Sequence, residues 1–323
     1  MVNKIHFGKR IAAMRRKAGY SQADLAEKLG VTSQAVSKWE CGSAVPDIDL
    51  LLELSHLYGV TINEMLEDSD LLYQLTGVKT GPSGIAYFVP EQEQGEYLDF
   101  GEEIHRGNWI ERNWAYCREE HPFMDKTGAE IASLGGLILE IGAGPGGGFM
   151  PFILKKDPDA SMVISDLSPT VVQEWKRLLD KTMDSPSLHY AVFDFCHMPL
   201  KDACIDVISD HDGISNCVGE KAMALKEAYR VLKPGGKLIT TSGFVDKETR
   251  AALPEHAQKV LLEKRPDIFE DLYSETVLAG FGKIDSVVRG YWYPESDSAI
   301  ADLANELGIR LKFTSYIRYC TKE

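Results

Sequence analysis

A chain of 323 residues with 44% apolar content has room for two domains and at least one sizeable core, which excludes disorder as the overall state. The net charge of −14 excludes nucleic-acid binding along the whole length, yet it is unevenly spread: residues 1 to 40 hold eight Lys/Arg against Asp24, Glu27 and Glu40, leaving 27 against 46 beyond them. No run of about 18 apolar residues could span a bilayer, and the opening Met-Val-Asn-Lys-Ile-His lacks the apolar centre of a signal peptide, so the expected location is the cytoplasm.

In residues 4 to 18, Ile5, Ile11, Ala12 and Met14 alternate with Lys9, Arg10, Arg15, Arg16 and Lys17, the pattern of an amphipathic helix with a basic face, ended by Gly19. Ser21 caps a second helix with Asp24 in its first turn. Thr32 caps a third over Ser33 to Glu40, Pro46 precedes a fourth through Leu50, Leu51, Leu54 and Leu57, and a short fifth is expected around Ile62 to Leu66.

Within these five helices, Ser-Gln-x-x-Leu-Ala-x-x-Leu-Gly-Val-Thr followed by Gln-Ala-Val-Ser-Lys-Trp-Glu resembles the DNA-binding helix-turn-helix domains of the phage-repressor (Cro-like, xenobiotic-response-element) type. The resemblance implies that the third helix enters the major groove and presents Ser33, Gln34, Ser37 and Lys38, while Gln22 grips a phosphate. Gln34 can pair bidentately with an adenine edge; Ala35, Val36 and Trp39 are assigned to the core. Residues 1–68 are therefore expected to bind a double-stranded operator, and a homodimer on an inverted repeat follows from how such domains read DNA.

Residues 69–102 read as a linker, with Thr80-Gly-Pro-Ser-Gly84 and the acidic run Pro90 to Glu96; Ile85 to Val89 can form a strand of unassigned position. Residues 103–120 are expected to be helical and rich in aromatics.

Leu137-Ile-Leu-Glu-Ile-Gly-Ala-Gly-Pro-Gly-Gly-Gly-Phe149 joins an apolar run to a glycine-rich turn, the pattern of a parallel strand that ends in a ligand loop. Gly142, Gly144 and Gly147 also satisfy the G-x-G-x-x-G of a nicotinamide site, so the glycines alone leave the cofactor open. Glu140 would oppose a pyrophosphate and suit an ammonium group, and Pro145 removes a donor that a phosphate would use. At this point the stretch resembles motif I of the class I S-adenosylmethionine-dependent methyltransferases.

Strands and helices alternate after the loop. Ala160 to Asp166, His189 to Phe193, Ile205 to Ser209 and Leu238 to Thr241 read as strands, the last preceded by a helix over Lys221 to Leu232 and a Lys-Pro-Gly-Gly-Lys turn. Gly280-Phe281 to Trp292 and Arg310 to Cys320 are two closing strands around a helix from Ser298 to Leu307. The expected fold is two-domain: an all-α five-helix DNA-binding domain, then an α/β Rossmann-like seven-stranded methyltransferase sheet in residues 103–323, with a lid helix at 103–120 and a core at 131–323.

The methyltransferase resemblance implies S-adenosyl-L-methionine as cofactor. Glu140 and the backbone of Gly142, Ala143, Gly144 and Gly146 would hold the methionine end, Asp166 the ribose, and Asp194 with Phe195 the adenine, with Ile141, Leu167 and Met198 as apolar walls. It also makes Arg106, Trp109 and Tyr116 lid candidates. Asp210 and His211 lie where ligands collect at the end of the fourth strand; Asp210 is a candidate for cofactor and catalysis, and His211 for a general base. His197 is a weaker candidate.

Cys217 follows Asn216, not the proline of cytosine-C5 methyltransferases. Ser209-Asp210-His211-Asp212 stands where amino-methylating DNA enzymes carry Asp/Asn-Pro-Pro-Tyr. The expected acceptor is thus a small molecule, with DNA as the address; a non-catalytic sensor of S-adenosylmethionine or another ligand is the alternative. Six cysteines without C-x-x-C spacing read as free thiols, and no metal site is expected.

Overall fold

The computed structural model describes residues 4–62, 65, 71–78, 80, 83–89, 108–183, 187–217, 220–294 and 299–323. Its amino-terminal helices are α1 (Lys4–Lys17), α2 (Gln22–Lys28), α3 (Ser33–Glu40) and α4 (Ile48–Tyr58). The caps fix their starts. Ser21 and Asp24 form a reciprocal capping box on α2, and the Thr32 and Asp47 side chains accept the Ala35 and Leu50 N–H groups. Phe7, Ile11, Leu25, Val36, Trp39 and Leu54 form the core of this domain. Most of the fifth expected helix, around Ile62 to Leu66, lies outside the described residues.

A tight crossing holds α1 against α3. A Cβ on Gly8 would stand 2.3 Å from the Trp39 carbonyl oxygen, so only glycine permits the approach. Beside it, Glu40 accepts two bonds from Arg15 (2.6 and 3.0 Å) and one from the Gln22 amide (2.7 Å), which pins the end of α3 to α1 and α2.

Eight strands make one sheet: β1 (Ile85–Tyr87), β2 (Leu137–Ile141), β3 (Ser161–Asp166), β4 (Leu188–Val192), β5 (Ile205–Asp210), β6 (Leu232–Phe244), β7 (Lys283–Trp292) and β8 (Phe313–Thr321). Their order is β1-β4-β3-β2-β5-β6-β8-β7. The first six in that order are parallel, and β8 runs antiparallel to both β6 and β7. Because both faces are covered, the central strands are near-continuous apolar runs, with Ile138 facing one core and Leu139 and Ile141 the other.

The expected seven strands are present, and β1 adds an eighth at the edge. Here the linker reading of residues 69–102 needs correction at residues 71–76 and 85–87, whereas the acidic run Pro90 to Glu96 lies outside the described residues. α5 (Leu71–Thr76) buries Leu72 and Leu75 in the same core as Ala86 of β1, and β1 pairs with β4 through Ile85↔Tyr190. A six-residue helix and a three-residue strand carry little local signal. Their stability comes from the sheet surface they cover.

Helices α6 (Trp109–Tyr116), α7 (Pro122–Leu134), α8 (Met150–Lys156) and α9 (Pro169–Thr182) precede the short α10 (Gly213–Asn216) and α11 (Lys221–Val231). Between β6 and β7 stand α12 (Lys247–Ala252), α13 (Glu255–Lys264) and α14 (Leu272–Leu278), and α15 (Ala299–Glu306) joins the last two strands. Of the helix expected over 103–120, the first five residues, with His105 and Arg106, lie outside the described residues, and α6 covers Trp109–Tyr116 and ends before a turn into α7.

Candidate functional site

The carboxyl ends of β2, β3, β4 and β5 converge on the glycine loop. Gly142 and Gly144 adopt φ of 58° and 56°, and no atom lies within 4 Å of the position a Cβ on Gly146 would take, so the loop presents bare backbone to open space. From below, the loop is braced. Trp175 of α9 donates to the Gly144 carbonyl at 2.8 Å, Ala143 donates to Ser165 at 3.0 Å, and Asn113 of α6 donates to Pro145 at 2.9 Å.

Asp166 ends β3 half-buried beside this loop. One carboxylate oxygen accepts the Gly144 N–H and the other the Ser168 N–H, both at 2.8 Å. Burial pushes its pKa up, against the lowering effect of those backbone donors. Each oxygen keeps a lone pair, which fits a hydroxyl donor such as a ribose. Asp194 accepts the Cys196 N–H (2.8 Å) and pairs with His197 Nδ1 (3.1 Å), an interaction that raises the pKa of the exposed His197. The Phe195 ring lies 3.5 Å from the would-be Cβ of Gly142, so Asp194, Phe195 and the loop form one wall. Leu167 is half-buried against the core, and Ala143, Ile141 and Met198 are buried.

Glu140 does not face the open side of the loop. Its carboxylate is fully buried, with one oxygen accepting the Ser209 hydroxyl at 2.5 Å and the other the Phe149 N–H at 3.1 Å. Burial holds its pKa well above the usual carboxylate range. The placement follows from strand alternation: Glu140 shares the inward face with Ile138, so it supports the turn from within. A Cβ on Gly148 would come 1.9 Å from its Oε1, a constraint not read from the sequence, although the run of glycines carried its signal.

Asp210 likewise turns into the fold. Thr240 donates its hydroxyl at 2.6 Å and Ile214 its N–H at 3.2 Å, so this carboxyl holds α10 against β6 and does not lie open for acid–base work. Burial pushes its pKa up to about 7. His211 is occupied too. Its Nε2 lies 2.9 Å from Arg289 of β7; a guanidinium can only donate, so Nε2 is the acceptor and the ring proton sits on Nδ1, 4.0 Å from Asp212. Burial, together with the Arg289 charge, lowers the His211 pKa. The imidazole is therefore neutral and oriented, with its basic nitrogen engaged; Arg289 was not anticipated, because it lies 78 residues away from its partner.

Trp109 and Tyr116 are exposed and line, with Arg112, Asn113, Ala115 and Glu119, an open concavity of about 560 Å³. The core contact of α6 comes from Ile110 and from Trp114, which meets Trp175 edge-on at 6.3 Å. Cys196 and Cys217 approach to 3.5 Å despite their separation in sequence, and with Glu220 their ligand atoms lie within 4.8 Å of one another.

On the amino-terminal domain, Ser33, Gln34, Ser37 and Lys38 are all exposed along one side of α3, the spacing that places them on a common face. Gln22 is half-buried and already bonded to Glu40. It reaches a phosphate only by sharing or exchanging that contact. No helix among the described residues is long and apolar enough to cross a membrane.

An exposed polar recognition face on one domain and an acidic glycine loop on the other define a helix-turn-helix regulator domain fused to a methyltransferase domain. Comparison with known proteins agrees: a helix-turn-helix family model matches residues 11–65 and a methyltransferase-domain model residues 139–240. Through its amino-terminal part the chain belongs to the helix-turn-helix transcriptional regulators, being 32% identical over 96 residues to the SPbeta prophage-derived regulator YonR of Bacillus subtilis, an alignment covering 28% of this chain and 89% of YonR. The second domain is 33% identical over 102 residues to the ubiquinone/menaquinone biosynthesis C-methyltransferase UbiE of Cereibacter sphaeroides, covering 32% of this chain and 40% of that enzyme. It is 28% identical over 123 residues to the arsenite methyltransferase of Halobacterium salinarum, covering 35% and 29%. The chain thus spans two fifths or less of the length of these methyltransferase relatives.

Proposed function

We propose that the protein binds an operator through residues 1–68 and uses its second domain to bind S-adenosylmethionine and methylate a small molecule. The observation that carries this reading is the donor set at the loop. Asp166 and Asp194 flank bare glycine backbone, and Glu140 and Asp210 lie behind it. The two strand-end acids that reach the open side, Asp166 and Asp194, favour a ligand that offers hydroxyl and amino donors over a dinucleotide pyrophosphate, and the buried carboxyls of Glu140 and Asp210 brace the loop from behind.

The cofactor, when bound, supplies an activated methyl group on a sulfonium. The chain has to hold and orient: Asp166 fits the ribose hydroxyls, Asp194 with Phe195 the adenine, and the backbone of Gly142 to Gly146 the methionine end. In-line displacement then requires the acceptor atom about 3 Å from the methyl carbon in a site closed to water. Asn113, which ties α6 to the loop, also lines the concavity formed by Trp109 and Tyr116, and that shared residue supports a lid role for this helix.

Calorimetric titration tests the reading. The full chain should bind S-adenosylmethionine and not NAD, and Asp166→Ala should weaken that binding at least tenfold. Tight binding of NAD alone would replace the cofactor assignment.

A second reading, ligand sensing without turnover, draws on the engaged state of His211 and the burial of Asp210, which leave neither side chain free as a base. Ligand-dependent operator affinity, with no S-adenosylhomocysteine released over a broad acceptor panel, would favour it.

A further inference from the structure

Several of the buried or half-buried cations among the described residues are paired with carboxylates. Arg15 meets Glu40 at 2.6 Å, Lys221 meets Asp267 at 2.8 Å, and Arg318, almost wholly buried, is bonded to Asp271. Arg289 departs from this pattern. Its half-buried guanidinium donates to His211 Nε2, lies 4.4 Å over the Phe123 ring and has the Met124 sulfur at 3.5 Å. Among the described residues no carboxylate stands within ion-pair distance of it; Asp212, the acid that acts on it, lies beyond the imidazole. A guanidinium that has lost water without gaining an anion is under-compensated.

The backbone delivers Arg289 to this place. It is the extra residue of a bulge in β7, where Val288 pairs with Tyr316 and Gly290 with Ser315. A bulge leaves one residue out of the ladder and re-aims its side chain. Here the side chain reaches His211, at the end of β5, although β6 and β8 stand between the two strands in the sheet. The arginine therefore lies at the same end of the sheet as the glycine loop, whose Phe149 meets the His211 ring edge-on at 5.1 Å.

We propose that Arg289 is the acceptor-binding residue and that the acceptor carries an oxyanion, a carboxylate or a phosphate monoester, that pairs with it. This rests on the methyl-transfer reading for the role of the ligand; the anion site itself stands on the arginine. The fork of the guanidinium matches either oxyanion bidentately. Docking of the anion would compete with His211 for the guanidinium donors and so release Nε2, the nitrogen a general base needs. Binding of the correct acceptor would thereby complete the site.

The test uses the whole 323-residue chain, with and without S-adenosylhomocysteine, titrated with matched probes: benzoate against benzamide, and inorganic phosphate. One of the two anions should bind at one site per chain and the amide should bind at least tenfold more weakly; which anion binds separates the carboxylate from the phosphate. Arg289→Gln should cost that anion at least tenfold, Arg289→Lys should restore part of the loss, and both variants should keep wild-type affinity for S-adenosylmethionine, which also shows that they fold. Equal binding of acid and amide, or an anion affinity unchanged in Arg289→Gln, would overturn the proposal. Absence of cofactor binding in the wild type would instead refute the methyl-transfer reading, while the anion titration without cofactor still decides the role of Arg289.

Discussion

A methyl group at position 148 would meet the Glu140 carboxylate at 1.9 Å, on a backbone whose φ is 57°. Both facts oppose any side chain there. Gly148→Ala should cost about 2–4 kcal/mol, the sum of a left-handed alanine and an overpacked contact with a buried, hydrogen-bonded acid. Gly146→Ala, only two residues away, meets nothing within 4 Å and has no positive φ, so its denaturation midpoint should stay near that of the wild type. Equal losses from the two would show that the loop is not braced as described. The pair also shows what the sequence conceals. A glycine run announces a tight turn, whereas which glycine serves the ligand and which serves the core depends on where Glu140 points.

At the scale of elements, Asp210 couples β5, β6 and α10, and its buried carboxyl makes that coupling depend on pH. Its folded-state pKa is about 7, above the ordinary value of 3.8, so the folded chain prefers the protonated form. Stability from this group is fully present at low pH and is lost as pH rises through 7. Buried Glu140, also raised, adds with the same sign. Asp210→Asn keeps an acceptor for Ile214 and should flatten the profile: the difference in unfolding free energy between pH 5 and pH 8 should shrink relative to wild type, by at most about 3 kcal/mol. An unchanged difference would place the pH dependence elsewhere.

Elements differ in how openly the sequence declares them. α2, α3 and α4 start at Ser21, Thr32 and Asp47 because local capping chemistry decides a helix start. β2 to β5 are equally plain, since a strand covered on both faces must be apolar throughout. By contrast, α5 and β1 exist through contacts with residues more than a hundred positions away, such as Lys201 donating to Leu75, and no window of sequence contains that partner. Candidate site residues follow the same division. Asp166 and Asp194 stand at strand ends and could be read, whereas Arg289 is brought in by a bulge and Asn113 by packing of α6 on the loop.

On the scale of the whole molecule, residues 1 to 40, which carry the recognition helix, hold eight Lys/Arg against three acids, whereas the rest of the chain holds 27 against 46, so duplex DNA is attracted to the α1–α3 segment and repelled by the remainder. That separation predicts functional independence in the mutations. Lys38→Glu places a negative charge on the exposed face of α3 and should abolish operator binding while leaving the calorimetric affinity for S-adenosylmethionine unchanged. Light scattering should find a homodimer, with both protomers engaged on an inverted repeat. Any communication between the two domains is then bound by reciprocity: if the cofactor changes operator affinity by some factor, the operator must change cofactor affinity by the same factor. Titrating the cofactor into the wild-type protein with and without operator measures that factor. A ratio of one would make the DNA-binding domain a device that places a methyltransferase on the chromosome. A ratio of ten or more would make the cofactor a signal read by transcription, and Lys38→Glu should then erase the ratio along with the DNA binding. If Lys38→Glu weakens the cofactor in the absence of DNA, the two domains are not independent units, and the division of labour drawn from their charges fails.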